Sequence, residues 1–334
     1  MSEKMSPRLA GPLLALLSFG LYATHDAVVK GLGGTYSPIQ IVFFSVLFSF
    51  PLATLVLMQE RTAATLRPAH PGWVALRTAA AVTTGLCGFY AFTVLPLAEA
   101  YALIFASPLL ITVLSIPILG ETVGRHRWTA VVVGLVGVLV VLRPGATALT
   151  LGHGAALMAA LGHALSSVIS RKIGKDERGV VMILYPMMVN VVLMGALLPS
   201  VYVAMPLTDL GLNAVIAGLG FVGGLIMITA FRRADAAVVA SMHYSQILWA
   251  AVYGWLFFGE TGDTATWIGA AIIIGSGLYV VVREAGGASE NSPVLRARTR
   301  LETGTSPRIA AALRARAAQV PPGYQALANR AKGH

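Results

Sequence analysis

Long apolar stretches separated by short polar ones dominate this chain, and their length carries the first piece of information. A hydrocarbon core about 30 Å thick takes roughly 20 residues of helix to cross. Ten runs of about that size occur: Ala10 to Leu32, Pro38 to Met58, Trp73 to Leu95, Leu97 to Leu119, Trp128 to Leu142, Gly152 to Ser170, Val180 to Pro199, Gly211 to Phe231, Ala236 to Phe258 and Thr266 to Val282. A spanning β-strand would instead alternate apolar and polar residues over about 10 positions. Segments such as Val131 to Leu142 do not alternate. The pattern predicts an all-α polytopic membrane protein with ten transmembrane helices.

Composition strengthens that reading. Of 334 residues only 11% are charged, against about 25% in an ordinary soluble domain, which leaves too few polar side chains to cover a water-soluble globule. The apolar excess excludes a disordered chain, and a single cysteine, Cys87, excludes a disulfide scaffold. The sign of the loop charges adds orientation. Lys4 and Arg8, Arg61 and Arg67, Arg125 and Arg127, the cluster Arg171, Lys172, Lys175 and Arg178, Arg232 with Arg233, and Arg283 all fall in one alternating set of loops. The other set holds Lys30 and Arg143 at helix ends. Because cytoplasmic loops collect Lys and Arg, both termini are expected in the cytoplasm, which requires an even number of spans. Arg77, one turn inside the third span, is expected to snorkel to the interface as an anchor. The basic start followed by an apolar run is read as an uncleaved first helix, since the run continues past any plausible cleavage point.

The chain also repeats itself. Gly120-Glu121-Thr122 recurs as Gly259-Glu260-Thr261, and Trp128 recurs as Trp267 at the same offset; Gly137, Val140, Val141 and Arg143 then match Gly277, Val280, Val281 and Arg283. Five spans per half is an odd number, so the second half is expected to enter the membrane upside down. Inverted repeats of this kind are a transporter architecture in which one bundle rocks against the other around a site near the midplane. The organisation expected is a cytoplasmic segment 1–9, a first five-helix repeat 10–144, an inverted second repeat 152–283 and a basic cytoplasmic tail 284–334. That tail carries eight basic against three acidic residues, half of the chain's net +10. It is expected to be disordered and drawn to anionic lipid, with a short surface helix over Arg308 to Val320.

Ten helices in two five-helix halves, each half ending in a helix, Gly-Glu, a short turn and a Gly-containing helix, resemble the EamA family of the drug/metabolite transporter superfamily. The resemblance covers about residues 10 to 283. It implies a carrier in the cytoplasmic membrane, mostly prokaryotic, that moves amino acids, nucleoside-like metabolites or other small organic molecules without ATP. His25-Asp26-Ala27-Val28-Val29-Lys30 followed by Gln40-Ile41-Val42-Phe43-Phe44 is similar to members assigned to S-adenosylmethionine uptake. Those members commonly place Arg after the paired Phe, where this chain has Ser45.

Ionisable groups within spans are rare because each costs about 2.5 to 3.5 kcal/mol at the centre of an inserting helix. Asp26 is the most costly of them, at roughly 9 Å from the outer end of the first helix at 1.5 Å per residue. Tyr22, Asp26 and Lys30 share one helical face, and Asp before Lys is the favourable order for an ion pair. The alternative for Asp26 is a carboxylate that meets a cationic substrate or carries a coupling proton, with His25 as a second titrating group. In the ninth span Ser241, His243, Tyr244, Ser245, Gln246, Trp249 and Tyr253 form the densest polar and aromatic strip of the chain. Tyr244, Ser245, Trp249 and Tyr253 are expected near one face, turned to protein or a wet cavity where a cation stacks on Trp249. Tyr101 and Phe105 are candidates for the opposite wall, and Tyr90, His163 and Asn190 lie at depths a central site can reach. Glu99 is read as interfacial.

No enzyme signature is present: the sequence has no Cys-x-x-Cys, no His-x-x-x-His and no Gly-x-x-x-x-Gly-Lys-Ser/Thr. No metal or cofactor is expected. The reading is a secondary active transporter of a small polar or cationic organic metabolite, driven by an ion or substrate gradient, set against an intramembrane enzyme or a non-transporting membrane scaffold. The partners expected are the solute and the lipid bilayer, with a homodimer as an allowed assembly and no nucleic acid.

Overall fold

The computed structural model describes residues 7–57, 66–145, 148–174, 176–234 and 236–286. The basic tail beyond Gly286, including Arg308 to Val320, lies outside the described residues, as do Lys4, Arg61 and Lys175. The described residues form helices α1 (Pro7–Gly33), α2 (Pro38–Leu57), α3 (Pro71–Val94), α4 (Leu97–Ile104), α5 (Ser107–Leu119), α6 (Arg125–Leu142), α7 (Leu151–Ile173), α8 (Gly179–Leu197), α9 (Leu207–Arg233), α10 (Ala236–Met242), α11 (Ser245–Phe258) and α12 (Thr264–Gly286). Among the described residues eight helical stretches are long and apolar enough to cross a membrane, with α4 and α5 together forming one of 23 residues; the apolar stretches Pro38–Thr54 of α2 and Ser245–Phe258 of α11 are shorter.

Two stretches expected as single helices are each broken. The first break, between Ile104 and Ser107, has a covalent cause in Pro108, which has no N–H for the carbonyl four residues back and disfavours helical geometry before it. The second, between Met242 and Ser245, contains no proline. There the backbone tightens, with Tyr244 N–H donating to Ser241 O, Gln246 N–H to His243 O and Ile247 N–H to Tyr244 O. These span three residues rather than the four of an α-helix, so the turn is of the 3₁₀ kind.

The stretches after the breaks end alike. Gly120 and Gly259 take left-handed φ values of 71° and 64° and close α5 and α11, a conformation that costs glycine nothing. The next N–H folds back in each case, Glu121 to Ser115 O and Glu260 to Gly254 O. Helix packing follows small residues, as expected where lipid supplies no hydrophobic drive between helices. The most extensive contacts are α1 with α9, α3 with α7 and α6 with α12. In the last pair, a Cβ at Gly137 would meet Gly269 O at 2.9 Å and one at Gly269 would meet Gly137 O at 2.7 Å. Tyr22 sits directly against Gly223 of α9 in the same way.

Arg77 departs from expectation. It is 1% exposed, and its Nε donates to Ser170 Oγ at 2.7 Å and its Nη1 to Met182 O at 2.7 Å. A guanidinium with polar acceptors on two neighbouring helices is stabilised inside the bundle and has no need to snorkel to the interface. It ties α3 to α7 and α8.

Candidate functional site

The rarest residues of the spans converge at the helix breaks. Asp26, buried on α1, lies with Oδ1 2.6 Å from Nδ1 of its fully buried neighbour His25. Its Oδ2 accepts the Tyr101 hydroxyl from α4. The Tyr101 oxygen in turn accepts Nε2 of Gln246 from α11, at 3.2 Å. A buried row of polar groups, His25, Asp26, Tyr101 and Gln246, therefore crosses three helices. In such surroundings polar groups polarise one another and each member holds the next in place. The His25 ring and the Asp26 carboxylate thus lie within hydrogen-bond distance of each other inside the bundle.

Aromatic rings line one flank of this row. Tyr101 packs against Phe92 and Phe105, with centroids 5.3 and 5.7 Å apart. Phe105, which caps α4 at the first break, meets His243 and Tyr244 at the second, with centroids at 5.0 and 5.5 Å. His243 also stacks on Phe19 of α1 at 5.0 Å and 25°. The two breaks thus touch each other through their aromatic residues. Trp249, further along α11, lies over Gly20 of α1, where a Cβ would stand 3.4 Å from the indole. Tyr253 continues that side, 6.1 Å from the Trp249 ring and 3.0 Å from Thr24 Oγ1.

Several candidates occupy other places. Tyr22 packs with Phe19, Ala230 and Val239 against α9 and α10. The strip on the ninth span does not present one face: Tyr244 is buried with its hydroxyl against Gly277 of α12, whereas Trp249 turns to α1 and is 36% exposed. The tight turn between them rotates the two side chains apart. Tyr90 is half-buried on α3, and His163 is buried on α7. Asn190 on α8 is fully buried, and neither its oxygen nor its nitrogen has a hydrogen-bond partner among the described residues. Ser45 is buried and donates to Asn213 Oδ1 of α9 at 3.1 Å.

Lys30 does not pair with Asp26. Its Nζ lies 2.7 Å from Glu260 Oε1 and donates to Leu95 O at 2.6 Å. The carbonyl end of α3 and a carboxylate together attract the ammonium more than Asp26, whose two oxygens are already engaged. Glu99 pairs with His153 Nε2 at 2.9 Å, linking the start of α4 to the start of α7. Glu121 pairs with Arg171, and Arg143 with Asp263. Glu260 and His153 were invisible as partners in the sequence because each lies far along the chain from the group it meets. Among the described residues no cluster of His, Cys, Asp and Glu is arranged to hold a metal ion.

Comparison with known proteins gives a consistent result. The model of the EamA-like transporter family matches residues 9–143 and again 150–283. The S-adenosylmethionine uptake transporter of Rickettsia bellii is 25% identical over 272 residues, 80% of this chain and 92% of that protein. The pseudopaline exporter of Pseudomonas aeruginosa is 27% identical over 79% of this chain and 93% of its own length. The riboflavin transporter of Rhizobium johnstonii is 28% identical over 72% and 78%. One crystal structure superposes with a TM-score of 0.57 over 85% of this chain and 99% of its own, at 19% identity. That likeness concerns the fold. Apolar helices long enough to span, together with relatives that are transporters, make this a multi-pass membrane protein. Matched twice along most of its length, the chain belongs to the EamA-like transporter family.

Proposed function

We propose that the protein is a secondary active carrier that moves a small polar or cationic organic metabolite across the cytoplasmic membrane by alternating access. The observation that carries this reading is the buried row from Asp26 through Tyr101 to Gln246, which joins residues 75 and 145 positions apart where two broken helices meet. Discontinuous helices at corresponding places in two halves are where transporters of this architecture bind solute. Asp26 takes the coupling proton, with His25 as its immediate exchange partner. Tyr101, His243, Tyr244, Gln246 and Trp249 form the solute wall, and Tyr22, Tyr90, His163 and Asn190 support or extend it. A solute cation would stack on the partly exposed indole of Trp249.

The same reading arranges the chain as ten spans in two inverted halves. Several spacings favour it. The two breaks and the two Gly-Glu turns each recur 138 to 139 residues apart. Gly11 leaves no room for a Cβ because of Ala234, and Gly152 leaves none because of Val94 and Leu95, so the start of each half packs against the end of a helix in the other. Exchanging the halves also exchanges the α1 contact with α9 for that of α7 with α3, and returns α6 with α12 to itself. Aligning Gly11 with Gly152, 141 residues on, carries Asp26 onto Ser167, which is buried on α7. The loop charges favour both termini on the cytoplasmic side of the inner membrane.

The relatives named above narrow the solutes to try first. Purified protein is screened by thermal shift against S-adenosylmethionine, riboflavin and a panel of amino acids, and hits are followed as flux into liposomes with and without a pH gradient. Expected is one solute that raises the melting temperature and whose flux the gradient accelerates. Asp26→Asn is expected to abolish that acceleration, and Trp249→Ala to weaken solute binding while expression persists. Flux of no solute under any gradient ends the carrier reading, and normal behaviour of both variants removes these residues from the site.

A further inference from the structure

The two Gly-Glu turns lie at opposite ends of the bundle, and their carboxylates are not held equally. At one end Glu260 engages both oxygens: Oε1 meets Lys30 Nζ of α1 at 2.7 Å, and Oε2 accepts the backbone N–H of Leu97, which opens α4, at 2.9 Å. Lys30 reaches on to Leu95 O and Phe92 O at the end of α3, at 2.6 and 3.4 Å. One carboxylate and one ammonium thus tie together the ends of α1, α3, α4 and α11. Charge and helix dipole agree at each contact, cation on a carbonyl end and anion on an N–H end.

At the other end Glu121 pairs with Arg171 of α7 through Oε1, and Lys172 donates to Ile118 O at 2.6 Å. Its second oxygen is buried and has no hydrogen-bond partner among the described residues. The helices that would have to close there also touch less: α1 packs against α3, while the corresponding pair α7 and α9 is not among the substantial contacts of the described residues. Buried carboxylate oxygens are ordinarily bonded, so this end lacks a contact that its counterpart makes.

We propose that Glu260 and Glu121 are the two latches of an alternating gate, and that this conformation is latched at the Glu260 end while the Glu121 end is free to open. The inference rests on the carrier reading above and adds the residues that switch it. Gly254 belongs to the device. A Cβ there would fall 2.7 Å from Glu260 Oε2, so only glycine lets the carboxylate lie against α11 while it reaches Leu97.

The test measures access and needs no solute. In a Cys87→Ala background, a reporter Ala27→Cys sits buried one turn before Lys30, and its alkylation by a bulky maleimide is timed in detergent. Glu260→Gln and, separately, Gly254→Ala are expected to raise that rate about tenfold, the factor that goes with losing one charge-assisted bond. Glu121→Gln is expected to leave it unchanged. Unchanged rates in both of the first two variants overturn the proposal, as does an equal acceleration by Glu121→Gln. Should Glu260→Gln fail to fold, Gly254→Ala decides, because it keeps every charge. Failure of the carrier reading shows elsewhere, as absent flux in liposomes from a protein whose labelling still responds to the latch.

Discussion

Both Asp26 oxygens are engaged, one by the Tyr101 hydroxyl and the other by His25 Nδ1, so the place of the carboxylate in the bundle is set by Tyr101 and His25. Removing the hydroxyl in Tyr101→Phe leaves ring packing on Phe92 and Phe105 intact and deletes both the bond to Asp26 and the acceptor for Gln246. A hydrogen bond to a charged group contributes about 1.5–3 kcal/mol, so the melting temperature should drop by several degrees and flux in liposomes should fall about tenfold or more as well. Arg77 predicts loss of stability alone. Arg77→Met leaves Met182 O without its donor, which costs about 1–3 kcal/mol; the thermal melt should drop by several degrees while surviving protein still transports. Residue identity told part of this in advance. Asp26, His25, Tyr101 and Gln246 stand out in the sequence because so few polar groups occur within the spans. Their connection does not, since no local rule joins positions 75 or 145 apart. The local rule pointed Lys30 at Asp26, four residues away, and a partner 230 residues away took it.

At the scale of elements, apolar run length located the helices, eight of them long and apolar enough to span among the described residues, because a membrane helix has to satisfy its own backbone over a fixed thickness. It could not predict the breaks equally well. Pro108 advertises the first. The second is set by three backbone bonds that each span three residues and by His243 held between a stacked Phe19 and an edge-on Phe105, ring contacts that exist only in the folded bundle. The two breaks should therefore respond differently to substitution. Pro108→Ala restores an N–H at the second residue of α5 and removes the restriction on helical geometry before it, so the protein should melt at the same temperature or higher. Its flux should fall, because a straightened α4 and α5 would carry Phe105 away from His243. Raised stability with undiminished flux would show that the first break is dispensable.

For the whole molecule, the loop charges and the five spans proposed for each half predict a definite topology. Reporter fusions at the two ends should both read as cytoplasmic, and one fused in the turn after Gly259 should read as external; opposite signals from the two termini would refute an even number of spans. The doubled match to one family model shows how a single pattern can be used twice, yet the halves are chemically unequal, with Asp26 in one and Ser167 in the other. Under the proposed coupling through Asp26 alone, each cycle carries one proton, and this sets a thermodynamic ceiling. For an uncharged solute, each pH unit supplies about 1.4 kcal/mol and so roughly tenfold accumulation, and each 100 mV adds about 2.3 kcal/mol, roughly fiftyfold. A steeper ratio at equilibrium would require a second coupled ion that Ser167 cannot provide.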